Sequence, residues 1–201
     1  MSSQCVRNHS PAWRPVTQSR GNQVHIVRLV GRTVRDRWLA MRDPEGFARS
    51  IGVNLNGRVR FYGIDRAMFG SEPWLVTLGD NVYLTAGVQF VTHDGGTLIL
   101  RKEQPDLEWT APIVIGNDVY IGIRSVILPG VTIGNRCVIG AGSVVARDIP
   151  DNTVAAGVPA RPIRSTDDYL ERLRERSLRV GHLPAQAKAE EIKKIYGVTA
   201  G

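Results

Sequence analysis

Between positions 115 and 145 every sixth residue is a branched aliphatic: Ile115, Ile121, Ile127, Ile133, Ile139 and Val145. Glycine follows four of the first five, at Gly116, Gly122, Gly134 and Gly140, and Leu128 follows the fifth. An α-helix repeats about every 3.6 residues and a half-buried strand about every two, so neither asks for this spacing. A parallel β-helix does, when each coil is a triangle with one short strand and one inward aliphatic per side. The glycine after each rung then serves the corner, where a positive φ or a close backbone approach is easiest without a Cβ. Val76, Val82, Val119 and Val131 stand two residues before the rungs Leu78, Leu84, Ile121 and Ile133. In a strand those pairs point the same way, which gives each side two inward residues.

The ladder extends upstream with breaks. Leu55 and Phe61 are six apart, as are Leu78, Leu84 and Phe90. The step from Phe61 to Leu78 is 17 residues, so a deletion or an irregular corner is expected near Met68–Pro73. The step from Phe90 to Ile115 is 25 residues, which places an insertion there. The spacing predicts roughly five coils between Ile51 and Val158, about 4.8 Å apart. Stacked repeats need caps at both ends. The apolar positions Val27, Val30, Val34, Trp38 and Met41 predict an amphipathic helix that Asp43-Pro44 ends. Ser165 with Asp168 resembles a capping box ahead of the stripe Tyr169, Leu170, Leu173 and Leu178. Pro184 and Gly197 bracket a second C-terminal helix. The division expected is a basic N-terminal extension with a helix (1–50), a β-helix (51–164) with a loop at 93–112, and C-terminal helices (165–201). The fold class is an all-β core with helical ends, and the N-terminal helix and the C-terminal segment are the candidate caps.

Composition narrows the setting. No apolar run approaches the roughly 20 residues that span a bilayer, and Met1 to Arg14 lacks the apolar middle of a secretory signal, so a cytoplasmic address is expected. The two cysteines, Cys5 and Cys137, support neither a disulfide framework nor a thiolate zinc site, and Cys137 in the ladder reads as a packed thiol. Of the net charge of +7, residues 1–60 carry +8, eleven arginines against Asp36, Asp43 and Glu45. Without interleaved aromatics or a binding motif this reads as a solvated basic segment, and no nucleic-acid partner is expected.

His93 is the one histidine of the four that lies within the repeat region. It opens the insertion as Thr92-His93-Asp94-Gly95-Gly96, a titratable group at the base of a loop. Imidazole is the side chain suited to move a proton near neutral pH. Asp94 is a candidate to orient it, although adjacent side chains of an extended segment point apart.

From Phe69 to Arg164 the chain resembles the hexapeptide-repeat acyltransferases, and most of all the O-acetyltransferases of capsule and surface-polysaccharide synthesis. The resemblance rests on Phe69-Gly70-Ser71-Glu72-Pro73, on Phe90-Val91-Thr92-His93-Asp94-Gly95-Gly96 and on Ile121-Gly122-Ile123-Arg124-Ser125. The run Ile127 to Gly134, the run Gly140 to Val145, and Ala156-Gly157-Val158-Pro159-Ala160-Arg161 complete it. Maltose, galactoside and antibiotic acetyltransferases share the later motifs, so these mark the superfamily and not the acceptor. The resemblance implies a left-handed β-helix, a homotrimer, and acetyl-CoA as acyl donor with no metal required. It implies His93 as general base toward an acceptor hydroxyl, with the oxyanion donor unassigned. It places Ile123 and Ala141 as backbone contacts to the pantetheine arm, and Arg147, Arg161 and Arg164 at the nucleotide phosphates. Tyr120 stands where relatives often carry Trp or Phe, and the first 45 residues match no part of the family.

The function these readings favour is acetyl transfer to a hydroxyl of a sugar or polysaccharide precursor, with the loop at 93–112 and its Trp109 helping to shape the acceptor pocket unless Trp109 packs onto the neighbouring coil. An antibiotic O-acetyltransferase of the streptogramin or chloramphenicol kind shares base and donor and is the alternative. A non-catalytic scaffold binding anionic polymer through the basic N-terminus is the alternative of another class. The zinc carbonic anhydrases of this fold need three histidines at the metal, which one repeat histidine does not supply.

Overall fold

The computed structural model describes residues 35–198, and in it the six-residue ladder closes into three-sided coils. Face 1 carries β1 (Asn54–Leu55), β3 (Val76–Leu78), β6 (Ile113–Ile115) and β9 (Thr132–Ile133), all parallel, with Ile149 bridging onto Ile133. Face 2 carries β2 (Val59–Phe61), β4 (Val82–Leu84), β7 (Tyr120–Ile121), β10 (Val138–Ile139) and β12 (Thr153–Gly157), again parallel. Face 3 carries β5 (Gln89–Phe90), β8 (Val126–Ile127) and β11 (Val144–Val145). The registers align rungs one coil apart, such as Leu78 with Ile115 and Ile115 with Ile133.

The periodic residues are the core. Ile121, Ile127, Ile133, Ile139 and Val145 are fully buried, and so are Val76, Val82 and Val119. Each pair of inward aliphatics stacks on those of the neighbouring coils, so burial is continuous along the axis. At roughly 1.5–3 kcal/mol per buried aliphatic side chain, this column is the main stabilising element. Cys137 lies inside it, its Sγ 3.1 Å from the Pro150 carbonyl, as a packed free thiol.

The corner glycines separate the two roles that sequence left open. A Cβ on Gly122 would meet the Ala141 nitrogen at 2.5 Å, and one on Gly116 the Gly134 carbonyl carbon at 2.8 Å. These glycines serve close approach between coils. Left-handed conformations fall instead on other corner residues: Asn81, Asp118, Arg136 and Asn152, with φ near 55°, recur where face 1 turns into face 2, and Gly87, Arg124 and Gly142 where face 2 turns into face 3. Side chains at that corner stitch one coil to the next: Asn117 Oδ1 accepts from Asp80 N at 2.8 Å and Asn135 Oδ1 from Asn117 N at 2.8 Å.

The irregular corner at Met68–Pro73 is an expansion and not a deletion. Arg66–Phe69 forms a 3₁₀ turn that supplies the third side of the first coil, and Phe69 stacks on Phe90 at 5.3 Å, replacing a strand rung. A second 3₁₀ turn, Pro73–Leu75, leads into β3.

At the N-terminal end, residues 35–42 are helical (α1); the upstream part of the expected helix lies outside the described residues. Asp43-Pro44 ends α1 and also starts α2 (Pro44–Ser50), because Pro suits the first helical turn and Asp43 Oδ1 accepts from Gly46 N at 2.8 Å. Sequence reading missed this second helix. It is the actual cap, with Phe47 and Ala48 buried against the first coil, while Trp38 and Met41 of α1 remain exposed.

At the other end a strand precedes the expected helices. The last strand, β13 (Ala160–Ser165), folds back antiparallel on β12, and α4 (Thr166–Arg176) and α5 (Ala185–Ile195) bury no residue. Leu170 and Leu173 of α4 stay about 40% exposed. Ser165 Oγ does accept from Asp168 N at 3.0 Å, as the capping pattern predicts.

Candidate active site

His93 follows β5 at the corner where face 3 turns toward face 1. The insertion closes on itself there: Thr92 O accepts from Ala111 N at 2.8 Å, Asp94 N donates to Trp109 O at 2.9 Å, and His93 bridges Thr110. The base of the loop is thereby fixed by backbone hydrogen bonds. Its outer part, with α3 (Thr97–Leu100), exposes Leu98, Ile99 and Leu100, and Trp109 is half exposed.

The partner of His93 is Glu72, which sequence reading did not assign. Its Oε2 lies 2.8 Å from His93 Nδ1 and accepts the Thr92 hydroxyl at 2.7 Å. The Thr92 hydroxyl above all, and then the His93 imidazole, hold the Glu72 carboxyl below the usual carboxylate range against partial desolvation. An ionised carboxylate only accepts, so Nδ1 is the donor of this pair, and in the neutral imidazole Nε2 is then the acceptor. His93 remains 38% exposed at its side chain. The clue to Glu72 was its place in the Phe69–Pro73 segment, but only the expanded corner carries it across to the loop base 21 residues later. Asp94 is turned elsewhere: its Oδ1 accepts from Gly96 N at 2.8 Å and its carbonyl from the Thr97 hydroxyl at 2.9 Å. It shapes the Gly95-Gly96 turn and does not orient the imidazole.

Ile123 and Ala141 stack one coil apart at a different corner, between faces 2 and 3. Gly142 N donates to Ile123 O at 2.8 Å, and Ser125 Oγ ties two coils together through Gly122 O and Gly140 O. Both residues are exposed, and among the described residues neither backbone N–H has a backbone acceptor. The same corner continues upward through Ala86 and Gly87, whose column is linked by Arg124 N donating to Ala86 O at 3.0 Å. It ends at a groove of about 1100 Å³ between α1, α2 and Gly63–Ala67. Exposed amides in a line suit a ligand that is itself an amide chain.

The three candidate arginines are not gathered in one place. Arg147 follows β11 at the His93 corner, whereas Arg161 and Arg164 lie on β13 beside face 2. None of the three makes an ion pair among the described residues. Other arginines of the basic segment are structural: Arg60 donates to Tyr83 Oη at 2.7 Å and Asn81 Oδ1 at 3.0 Å, and Arg49 donates to Leu55 O at 2.9 Å. No helix among the described residues is long and apolar enough to cross a membrane.

Comparison with known proteins bears on this arrangement. Residues 112–147 match the family model described as bacterial transferase hexapeptide (six repeats). Protein CapG of Staphylococcus aureus is 50% identical over 127 residues, 63% of this chain and 74% of CapG. Galactoside O-acetyltransferase of Escherichia coli (strain K12) is 50% identical over 98 residues, 48% of this chain and 47% of that protein. Among solved structures, a hexapeptide-repeat-containing acetyltransferase from Vibrio cholerae superposes with a TM-score of 0.50 at 27% identity, covering 72% of this chain and 94% of that one.

Proposed function

The chain belongs to the bacterial hexapeptide-repeat transferase family, and from that premise we propose that it transfers an acetyl group from acetyl-CoA to a hydroxyl of a sugar or polysaccharide precursor. The observation that carries the reading is the Thr92–Glu72–His93 arrangement, an imidazole oriented by an ionised carboxylate at the mouth of a loop. Nε2 of His93 accepts the proton of the acceptor hydroxyl while its oxygen attacks the thioester carbonyl. The carbon–sulfur bond breaks as the new ester forms, and the imidazolium returns its proton to the departing thiolate. Glu72 holds the ring and stabilises the charged imidazolium, acting through His93 as a positioning residue. The likeness to galactoside O-acetyltransferase supports a sugar acceptor.

The acyl-donor assignment is supported by the corner between faces 2 and 3. Its exposed N–H groups at Ile123 and Ala141 fit the amides of a pantetheine arm, and the unpaired Arg161 and Arg164 lie beyond them. Arg147 joins those phosphate contacts only across a subunit boundary. His93 and the Ile123–Ala141 line occupy opposite edges of face 3, a full side of the coil, at most about 20 Å of extended chain apart. Their placement on two different corners of the coil supports a left-handed β-helix trimer with its active sites between subunits. The division into a basic extension (1–50), a catalytic β-helix (51–164) and C-terminal helices (165–201) follows from the same reading.

The test is thiol release from acetyl-CoA in the presence of candidate saccharides. His93→Ala is expected to lower turnover by about 10²–10⁴-fold while acetyl-CoA still binds. A His93→Ala protein with full activity would refute the mechanism, and acetyl-CoA binding without turnover of any acceptor would favour a non-catalytic scaffold.

A further inference from the structure

The base of the insertion pairs two extended segments, Thr92–Asp94 and Trp109–Ala111. Ala111 N donates to Thr92 O at 2.8 Å and Asp94 N to Trp109 O at 2.9 Å, so the two hydrogen bonds flank the bridge between His93 and Thr110. Residues opposed in this way form the non-hydrogen-bonded pair of an antiparallel ladder. It is the closer of the two kinds, with Cα atoms about 4.5 Å apart and both side chains on one side. Thr110 is therefore the lateral neighbour of the imidazole, while Asp94 and Trp109 leave from the opposite side. Glu108, two residues before Thr110, returns to the His93 side, and its Oε1 accepts the Thr110 hydroxyl at 3.0 Å. Arg101 pairs with the other carboxylate oxygen and also donates from Nε to Leu107 O at 3.0 Å.

The chemistry of this row is one-sided. The Thr110 hydroxyl gives its hydrogen to Glu108 and keeps only lone pairs to offer, and an ionised carboxylate likewise only accepts. Thr110 is exposed and the Glu108 side chain is 49% exposed, so both face solvent beside the half-exposed imidazole. An ion pair as open as Arg101–Glu108 adds little to stability. What it does is hold the carboxylate of a loop residue in one place. Glu72 and Thr92, in contrast, are taken up with Nδ1 of His93 and with each other. A ligand reaching the imidazole along Thr110 and Glu108 therefore has to bring hydrogens. An anionic group there would meet a carboxylate, whereas a neutral sugar presents a second hydroxyl close to the one that reacts.

We infer that Glu108, with Thr110, receives a hydroxyl of the acceptor sugar neighbouring the one whose proton passes to His93, and so selects which hydroxyl is presented to the base. The inference rests on the acyl-transfer reading above. His93, Thr110, Glu108 and Arg101 all belong to the insertion of one chain, so this wall is complete without a second subunit. Arg101 acts through Glu108 as a positioning residue.

The experiment uses the full chain with acetyl-CoA and methyl hexopyranosides as acceptor probes, the acetylated position being read by NMR. The best probe is compared with its monodeoxy analogues, each lacking one of the other hydroxyls. With the parent chain, one analogue should lose about 10–100-fold in kcat/KM, as expected for a hydrogen bond to a charged group. Glu108→Ala should lose a similar factor on the complete sugar at unchanged KM for acetyl-CoA. On that one analogue it should lose nothing further, because the contact is already gone. Glu108→Gln, whose amide oxygen still accepts, should recover part of the loss. Unchanged kcat/KM in Glu108→Ala overturns the inference. So does a loss of the same factor on every acceptor, which would mark a loop staple and not a sugar contact. A parent chain that binds acetyl-CoA and acetylates none of the probes would instead refute the acyl-transfer reading itself.

Discussion

The coils from Ile113 to Val145 and the coil closed by Arg66–Phe69 are built on the same three faces, yet they divide the work differently. In the first region each side is a two- or three-residue strand with an inward aliphatic, and the outward positions change freely. In the second, one strand is replaced by a 3₁₀ turn, its rung is an aromatic, and the corner after it is expanded; the insertion opens one coil later, after β5. The regular coils present a line of backbone amides. The irregular coil presents side-chain chemistry, with Glu72 from the expanded corner meeting His93 from the insertion at 2.8 Å. A repeat can hold an extended ligand because its backbone recurs. To gather three different side chains at one point, it has to break.

The largest expected effect probes the regular side. Ile133→Ala removes a fully buried rung between two others, and a loss of about 2–5 kcal/mol in unfolding free energy is expected, measurable by denaturant titration. Because stacked coils share their core, this loss should appear as one cooperative transition; local loss confined to one coil would break the comparison.

Glu72→Gln probes the irregular side. Turnover should fall about tenfold, on the order of 1.4 kcal/mol, with KM for acetyl-CoA unchanged, since Glu72 lies away from the amide line. The substitution also has a pH signature. The Glu72 carboxyl is held below its ordinary value of 4.5 in the folded chain. Its contribution to stability is therefore complete above that value and is lost as the pH falls through the lower folded value. The stability difference between the parent and Glu72→Gln should shrink on acidification in that window. A constant difference would show that the charge is not what matters.

Asp94→Asn is expected to have the smallest effect, under about threefold in turnover, because its Oδ1 accepts only from Gly96 N and an amide oxygen does the same. A loss as large as that of Glu72→Gln would move the orienting role back to Asp94.

Much of this molecule is legible in one dimension. The period of six names the coil, and the rungs and their i−2 partners are the buried residues, because a stack of identical sides leaves each aliphatic only one place to go. His93 was legible as well, since the ladder stops at it. Glu72 was not: its reach to His93 depends on how five extra residues fold at an expanded corner, and no periodicity carries that. The same holds for α4. Its stripe of Tyr169, Leu170 and Leu173 reads as an apolar cap, yet the helix buries no residue. Sequence by itself determined the coil, its core and the position of the imidazole, because these follow from local spacing and burial. Only the tertiary structure decided which carboxylate orients that imidazole and which helix closes the first coil, because those depend on where non-repeating segments land against a repeating surface.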